Sequence, residues 1–173
     1  MKIALCIEYP IAQHGGTEVL VRELIRGLHE RHKVVLVSPD NTTSIARAGI
    51  QNQLSGHIPW ETEPATALRG RELAAALTQT APDLVHFHFG GNYAWKNRAF
   101  GRCPVVHVRH AGLKVLSTNH GAFSIFEGYC WERRPFWVKL TLLPAAWLSK
   151  QYVLQYLATE VAVSQNDYHA LRR

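Results

Sequence analysis

The sequence predicts an α/β domain, a Rossmann-like three-layer sandwich built around a mainly parallel sheet. Three observations carry this. The opening stretch, MKIALCIEYPIAQHGGTEVLVRELIRGL, reads as a buried strand, a loop holding the pair Gly15-Gly16, and an amphipathic helix. A second apolar run, Lys33 to Ser38, follows at once and closes a βαβ unit with short connections. Further short apolar runs bounded by turn residues recur down the chain, and continuous runs of this kind suit strands covered on both faces.

In chain order, Ile3 to Ile7 is the first strand, stopped by Glu8, Tyr9 and Pro10. Val21, Leu24, Ile25 and Leu28 then recur at helical spacing. Glu18, Arg22, Arg26 and Glu30 form a charged stripe on another face, spaced for i,i+4 pairing. Pro39-Asp40-Asn41 ends the second strand. Thr42 to Glu63 mixes glycines, polar residues and isolated apolar ones, which predicts irregular chain with a short strand near Ile50 or Ile58. Pro64 opens a helix to about Thr80, with Leu68, Leu73, Ala76 and Leu77 inward. Leu84 to Phe89 is a strand that turns Val85, Phe87 and Phe89 to one face and Leu84, His86 and His88 to the other.

Gly90-Gly91 follows, and Asn92 starts a short helix to about Phe100. Pro104 to Arg109 reads as another strand, ending in His110-Ala111-Gly112. Three strands then end in glycine-containing loops, on the edge where open α/β sheets bind ligands. Leu113 to Pro135 reads as a long loop, Phe136 to Leu157 as a helix bent or split at Pro144, and Thr159 to Val163 as a last buried strand. Asn166 or Asp167 caps a final short helix.

A chain of 173 residues forms one domain with a substantial core, and 47% apolar against 18% charged residues excludes a disordered polypeptide. The net charge of +6 favours anionic partners (nucleotides, phospholipid headgroups or nucleic acid), with a solvated basic surface as the plain alternative. Cys6, Cys103 and Cys130 are odd in number, widely spaced and free of a C-x-x-C pattern, which argues against a disulfide framework or structural zinc and fits a reducing cytoplasm. The first strand begins at once, without the charged region and cleavage site of a signal peptide. The uncharged stretch Leu140 to Ser149 is too short to span a bilayer.

Gly15-Gly16-Thr17-Glu18 is the leading candidate site. Backbone N–H groups at a helix N-terminus are open to an anion or a sugar hydroxyl, and glycine permits close approach; a ligand-free tight turn is the alternative. The adjacent glycines do not make the dinucleotide fingerprint G-x-G-x-x-G, although Asp40 stands where a ribose-binding acid would lie. His86 and His88 share one strand face, with Gly90 and Gly91 beyond them. No third ligand at a recognisable spacing turns these histidines into a metal site, and none is expected. His110 ends a strand before a glycine and is the candidate for the catalytic edge, or else a loop anchor. Trp131, Arg133, Arg134, Trp137 and Lys139 mix large rings with cations, as on a surface that lies on an anionic membrane. Packing of Trp137, Leu140, Trp147 and Leu148 on the sheet is the competing reading. Without a recognisable motif, nucleic acid is not an expected partner.

Taken together, the landmarks resemble the N-terminal domain of retaining GT-B glycosyltransferases of family four. The matching residues run in the family's order. They are Gly15-Gly16-Thr17-Glu18 with its helix to Gly27-Leu28, then Lys33 to Val37, then Pro82-Asp83-Leu84-Val85-His86-Phe87-His88. Pro104-Val105-Val106 leading to His110-Ala111-Gly112 and Val161-Ala162-Val163-Ser164 complete the series. The resemblance implies that residues 1–173 form the acceptor-side half of a GT-B fold. That half takes part in retaining sugar transfer from a nucleotide-sugar co-substrate to a glycan or lipid-linked acceptor, without an obligatory metal. It implies that Gly15, Gly16 and Thr17 border the donor diphosphate and acceptor. The histidine after the fifth-strand region, here His110, lies near the transferred sugar, and Ser164 near the interdomain cleft. The family's second, donor-binding domain has no counterpart in these residues, so the chain alone is expected to be inactive. The expected setting is the cytoplasm, with the aromatic-basic region offered to the inner face of the membrane. A non-catalytic binding module of the same fold is the alternative, and a nucleotide-cofactor oxidoreductase a more distant one.

Overall fold

The protein is described by a computed structural model covering residues 1–61, 66–89, 103–120 and 135–172. Among these residues, six strands form one parallel sheet: β1 (Lys2–Ile7), β2 (Lys33–Ser38), β3 (Gly56–Pro59), β4 (Leu84–Phe89), β5 (Val115–Asn119) and β6 (Thr159–Ala162). Their spatial order is β3-β2-β1-β4-β5-β6. The helices are α1 (Gly16–Leu28), α2 (Thr42–Arg47), α3 (Ala67–Thr80), α4 (Pro104–His110), α5 (Phe136–Leu154) and α6 (Gln165–Arg172). The α/β, Rossmann-like expectation holds.

Register decides which side chains share a face. Ile3 stands opposite Val34 and Leu84, Leu5 opposite Leu36 and His86, and Ile7 opposite His88. On this face Val21 and Ile25 of α1, Ile45 of α2, Ile11 and Ile50 complete one core. On the other face Ala4, Cys6, Val35, Val37, Val85, Phe87, Phe89 and Val115 meet Leu73 and Leu77 of α3, Val105, Val106 and Val108 of α4, and Val153 of α5. The chain steps outward from β1 to β3 and then returns across the sheet toward β6. Right-handed crossovers therefore put α1 and α2 on one face and α3, α4 and the end of α5 on the other. Val21 and Ile25 are fully buried, each contributing about 1.5–3 kcal/mol of apolar burial.

Several elements differ from the sequence reading. Pro104–His110 is a helix, not a strand. Proline at its first position suits a helix start, and its buried valines satisfy either period over so short a run. The strand of this unit is β5, inside the stretch read as a loop. Its Ser117, Thr118 and Asn119 are buried although polar. Thr42–Arg47 is helical, started by a capping box in which Ser44 N donates to Asn41 Oδ1 (2.9 Å) and Asn41 N to Ser44 Oγ (3.0 Å). Helix α3 starts at Ala67, capped by Thr66, and buries Gly70, Leu73, Ala74 and Leu77, while Leu68 is exposed.

The charged stripe of α1 also breaks up. Glu18 is buried, Arg22 turns to the preceding loop, and Arg26 pairs with Glu23 at i,i+3. Helix α5 runs unbroken through Pro144. The β6 edge strand is half-exposed, and α6 begins at Gln165, ahead of the expected caps. Among the described residues no helix is long and apolar enough to cross a membrane. The helix expected at Asn92–Phe100 lies outside the described residues.

Helices α3 and α4 touch at Gly70, where an added Cβ would meet the His107 ring, with Cγ and Nε2 at 3.1 Å and Cδ2 nearer still. Gly70→Ala should therefore destabilise the fold by about 1–3 kcal/mol, through overpacking. Gly27→Ala, whose Cβ meets nothing within 4 Å, should instead stabilise by roughly 0.5–1 kcal/mol. Urea unfolding midpoints check this. Equal shifts of the two variants would exclude a tight α3–α4 contact.

Candidate functional site at the carboxyl edge of the sheet

The chain leaves β1 toward β2 on one side, and β4 lies on the other. The carboxyl ends of β1 and β4 therefore flank a crevice at the point where the strand order reverses. The loop after β1 forms one wall. Its Ile11 is fully buried, and the Ile11 N–H donates to Asp40 Oδ2 at 2.7 Å. From α1, Arg22 Nη1 donates to the carbonyls of Ile11 (2.8 Å) and Gln13 (3.1 Å). Two charged side chains thus strap this loop from opposite sides. Asp40 is only 4% exposed and engaged with Ile11, so it does not stand open to a ribose.

At the end of the loop Gly15 is the N-cap of α1, with ordinary extended backbone (φ −89°, ψ 162°). Its need for glycine is steric: a Cβ there would collide with the carboxylate of Glu18, which is buried against it. An acid in the first turn complements the helix dipole, and this one occupies the region where an external phosphate would bind. Gly16 is exposed, with nothing within 4 Å of its missing Cβ, and Thr17 is half-buried.

Beyond β1, the same face carries polar side chains. His86 Nε2 hydrogen-bonds Thr118 Oγ1 of β5 at 2.8 Å, and His88 Nδ1 shares a 3.1 Å hydrogen bond with His120 Nε2. The His86 and His88 rings lie 4.1 Å apart between centroids. Burial drives the pKa of His86 down to about 4, helped by the His120 charge. Burial, with His86 and His120 nearby, drives that of His88 down to about 2. Both rings are neutral at physiological pH, so they act as hydrogen-bonding groups and not as cations. His88 Nε2 is buried without a partner among the described residues. Behind β2, His57 Nε2 meets Ser38 Oγ at 3.2 Å; burial lowers its pKa, against the opposing pull of Ser38 and Asp40. Among the described residues no group of three His, Cys, Asp or Glu is placed to hold a metal ion.

The predicted residues do not all meet here. Gly15, Gly16, Thr17, His86 and His88 gather around the crevice. Ser164 lies on the same edge but at the far strand, beside an open hollow of about 490 Å³ lined also by Ala162, Val163, Gln165 and Tyr168. His110 does not join them. It ends α4, which must run against the strands to connect β4 with β5, so His110 sits at the opposite, amino edge. There its ring meets Tyr156 edge-on at 5.2 Å, and Gly112 serves the turn into β5 with φ +85°. Gly90, Gly91, Trp131, Arg133 and Arg134 lie outside the described residues, as does the side chain of Lys139. His120 was missed. The signal was there in Val115-Leu116-Ser117-Thr118-Asn119-His120-Gly121, a run that leads straight into a histidine and a glycine, but its polar end made it look like loop.

The sequence model of Glycosyltransferase Family 4 matches residues 14–173. The chain belongs to this family. No curated protein sequence matches it. Among solved structures it is similar to a crystal structure from Listeria monocytogenes described as a UDP-N-acetylglucosamine 2-epimerase, at 8% identity and TM-score 0.59. That likeness, which concerns the fold alone, covers 99% of this chain and 41% of the epimerase chain, so this family 4 chain spans about two fifths of the epimerase's length. A haloacid dehalogenase-like hydrolase from Streptococcus pneumoniae is aligned over 94% of this chain and 62% of its own, at 12% identity and TM-score 0.44.

The buried histidines of this family 4 domain have a consequence for stability. His86 and His88 hold protons less readily folded than unfolded, so the unfolded chain binds more protons in acid and stability rises with pH. The penalty begins as pH falls below the ordinary value of 6.5 and grows toward 4 for His86 and toward 2 for His88. Between pH 7 and pH 5 each ring should cost on the order of 1–2 kcal/mol. Urea midpoints at the two pH values should show this loss, and it should shrink in His86→Leu. A pH-independent midpoint would mean the rings are not buried neutral.

Proposed function

We propose that this family 4 chain is the acceptor-side half of a retaining glycosyltransferase. In this reading it receives a glycan or lipid-linked acceptor in the β1–β4 crevice, and a second domain, in the same polypeptide or in a partner chain, brings the nucleotide-sugar. The observation that carries the reading is that the Gly15-Gly16 loop after β1 and the His88–His120 pair at the ends of β4 and β5 share the carboxyl edge of the sheet at the strand-order reversal. Neutral imidazoles and exposed glycine backbone suit sugar hydroxyls. The Glu18 carboxylate beneath Gly15 makes the same loop a poor diphosphate site by itself, which favours an acceptor role over a donor role.

The resemblance assigns the histidine after the fifth strand to the neighbourhood of the transferred sugar. With β5 at Val115–Asn119, that histidine is His120, and it takes the role first given to His110. Stabilising the leaving diphosphate is the largest catalytic demand in such a transfer, and these residues supply little cationic charge to the crevice. No obligatory metal is part of the proposal. The chain alone should give no measurable turnover of a nucleotide-sugar. With the second domain supplied, His120→Ala should lower kcat roughly 10²-fold, while His110→Ala stays within a few-fold of the parent. Turnover by the 173-residue chain alone, or equal losses in the two variants, would contradict this assignment.

A second feature bears on where the acceptor comes from. Helix α5 exposes Phe136 (78%), Trp137 (68%), Leu140 (64%) and Leu148 (50%), with exposed Pro144 completing a repeat of four residues from Phe136. Trp137, Leu140 and Leu148 therefore do not pack on the sheet. The helix sequence contains Lys139 and Lys150 and no acid, so the occupant we propose for this stripe is an anionic lipid surface. Co-sedimentation with vesicles containing phosphatidylglycerol should retain the chain at low salt, and Trp137→Ser with Leu140→Ser should release it. Equal retention by neutral phosphatidylcholine vesicles, or none by either, would remove the anionic-surface proposal.

A further inference from the structure

We propose that His88 is a positioning residue for His120: the hydrogen bond between His88 Nδ1 and His120 Nε2 holds the His120 ring in one orientation and one tautomer. Its functional meaning rests on the reading that His120 faces the transferred sugar; the physical claim does not.

The bond is 3.1 Å long, and the two rings lie 5.4 Å apart at an interplanar angle of 27°. His88 is itself fixed. It is 1% exposed, stands opposite Ile7 of β1 and Thr118 of β5, and has the His86 ring against it. His86 is tied in turn to Thr118. His120 is held from the same strand by its backbone, whose N–H donates to the Phe89 carbonyl at 2.9 Å. Both the main chain and one ring nitrogen of His120 are therefore anchored on β4.

At a pH where both imidazoles are neutral, rings joined nitrogen to nitrogen share one proton, so the tautomer of one dictates that of the other. The direction follows from His88 Nε2, which is buried and without a partner among the described residues. A buried N–H with no acceptor is the rarer defect, which puts the His88 proton on Nδ1. His120 then accepts at Nε2 and carries its own proton on Nδ1. Removal of His88 frees the ring to exchange between tautomers.

Nitrogen-15 NMR of the histidine side chains in the 173-residue chain tests this, with His120 assigned by loss of its signals in His120→Gln. The parent should show His120 protonated on Nδ1 alone. His88→Phe should move the His120 shifts toward the Nε2-protonated or averaged pattern. His88→Asn, whose amide donates from nearly the same place, should restore the parent pattern. A parent His120 protonated on Nε2 overturns the proposal and needs no variant to observe. Unchanged His120 shifts in a folded His88→Phe overturn it as well. Neither readout depends on sugar transfer, so failure of the glycosyltransferase reading would show in the kcat of His120→Ala and leave these shifts as they are.

Discussion

The register of β4 between β1 and β5 is the constraint on which the rest of this structure depends. Opposite Leu5 and Ile7, the face that begins as an apolar core under α1 continues as His86 and His88, and then as Thr118 and His120. A slip of one residue would turn these groups into the core under α3 and α4 and send Phe87 and Phe89 to the crevice. The alternation of Val85, Phe87 and Phe89 with the histidines prevents that slip. Burial of the aromatic residues on one face is what presents the imidazoles on the other.

Polar groups on a buried face destabilise unless they are paired, and a buried unsatisfied group costs about 1–3 kcal/mol. The pairing here is nearly complete: His86 with Thr118, and His88 with His120. Low solvation also keeps His86 and His88 neutral, so these two rings offer directional hydrogen bonds and not charge. A similar economy governs the opposite wall. Asp40 and Arg22, charged residues with functional potential, are committed to holding the β1 loop. What they leave accessible is the glycine backbone at Gly16.

Much of this was legible in the chain. The glycine pair, the first βαβ unit and the facing of His86 and His88 followed from runs and alternation. The family resemblance rested on motifs whose order survives in the structure. The segment from Pro104 to Asn119 was not legible. Three buried valines after a proline fit a strand as well as a helix, and a strand ending in Ser-Thr-Asn looks like a loop. His110 was placed at the carboxyl edge for that reason alone, and once the strand is in place the histidine that follows it is His120. The charged stripe of α1 failed differently. Spacing gives the angle around a helix, but not whether a carboxylate folds back beneath a glycine or an arginine reaches for loop carbonyls.

The sequence by itself determined the layered α/β architecture, the family, and the glycine loop between the first strand and its helix, because strand runs, helical spacing and short motifs are local properties. Only the tertiary structure decided which of two short runs became the fifth strand. It thereby decided that His120 stands at the carboxyl edge while His110 stands at the amino edge. The physical reason is that a short apolar run takes its form from what it packs against. A helix that returns between parallel strands carries its last residue to the opposite side of the sheet.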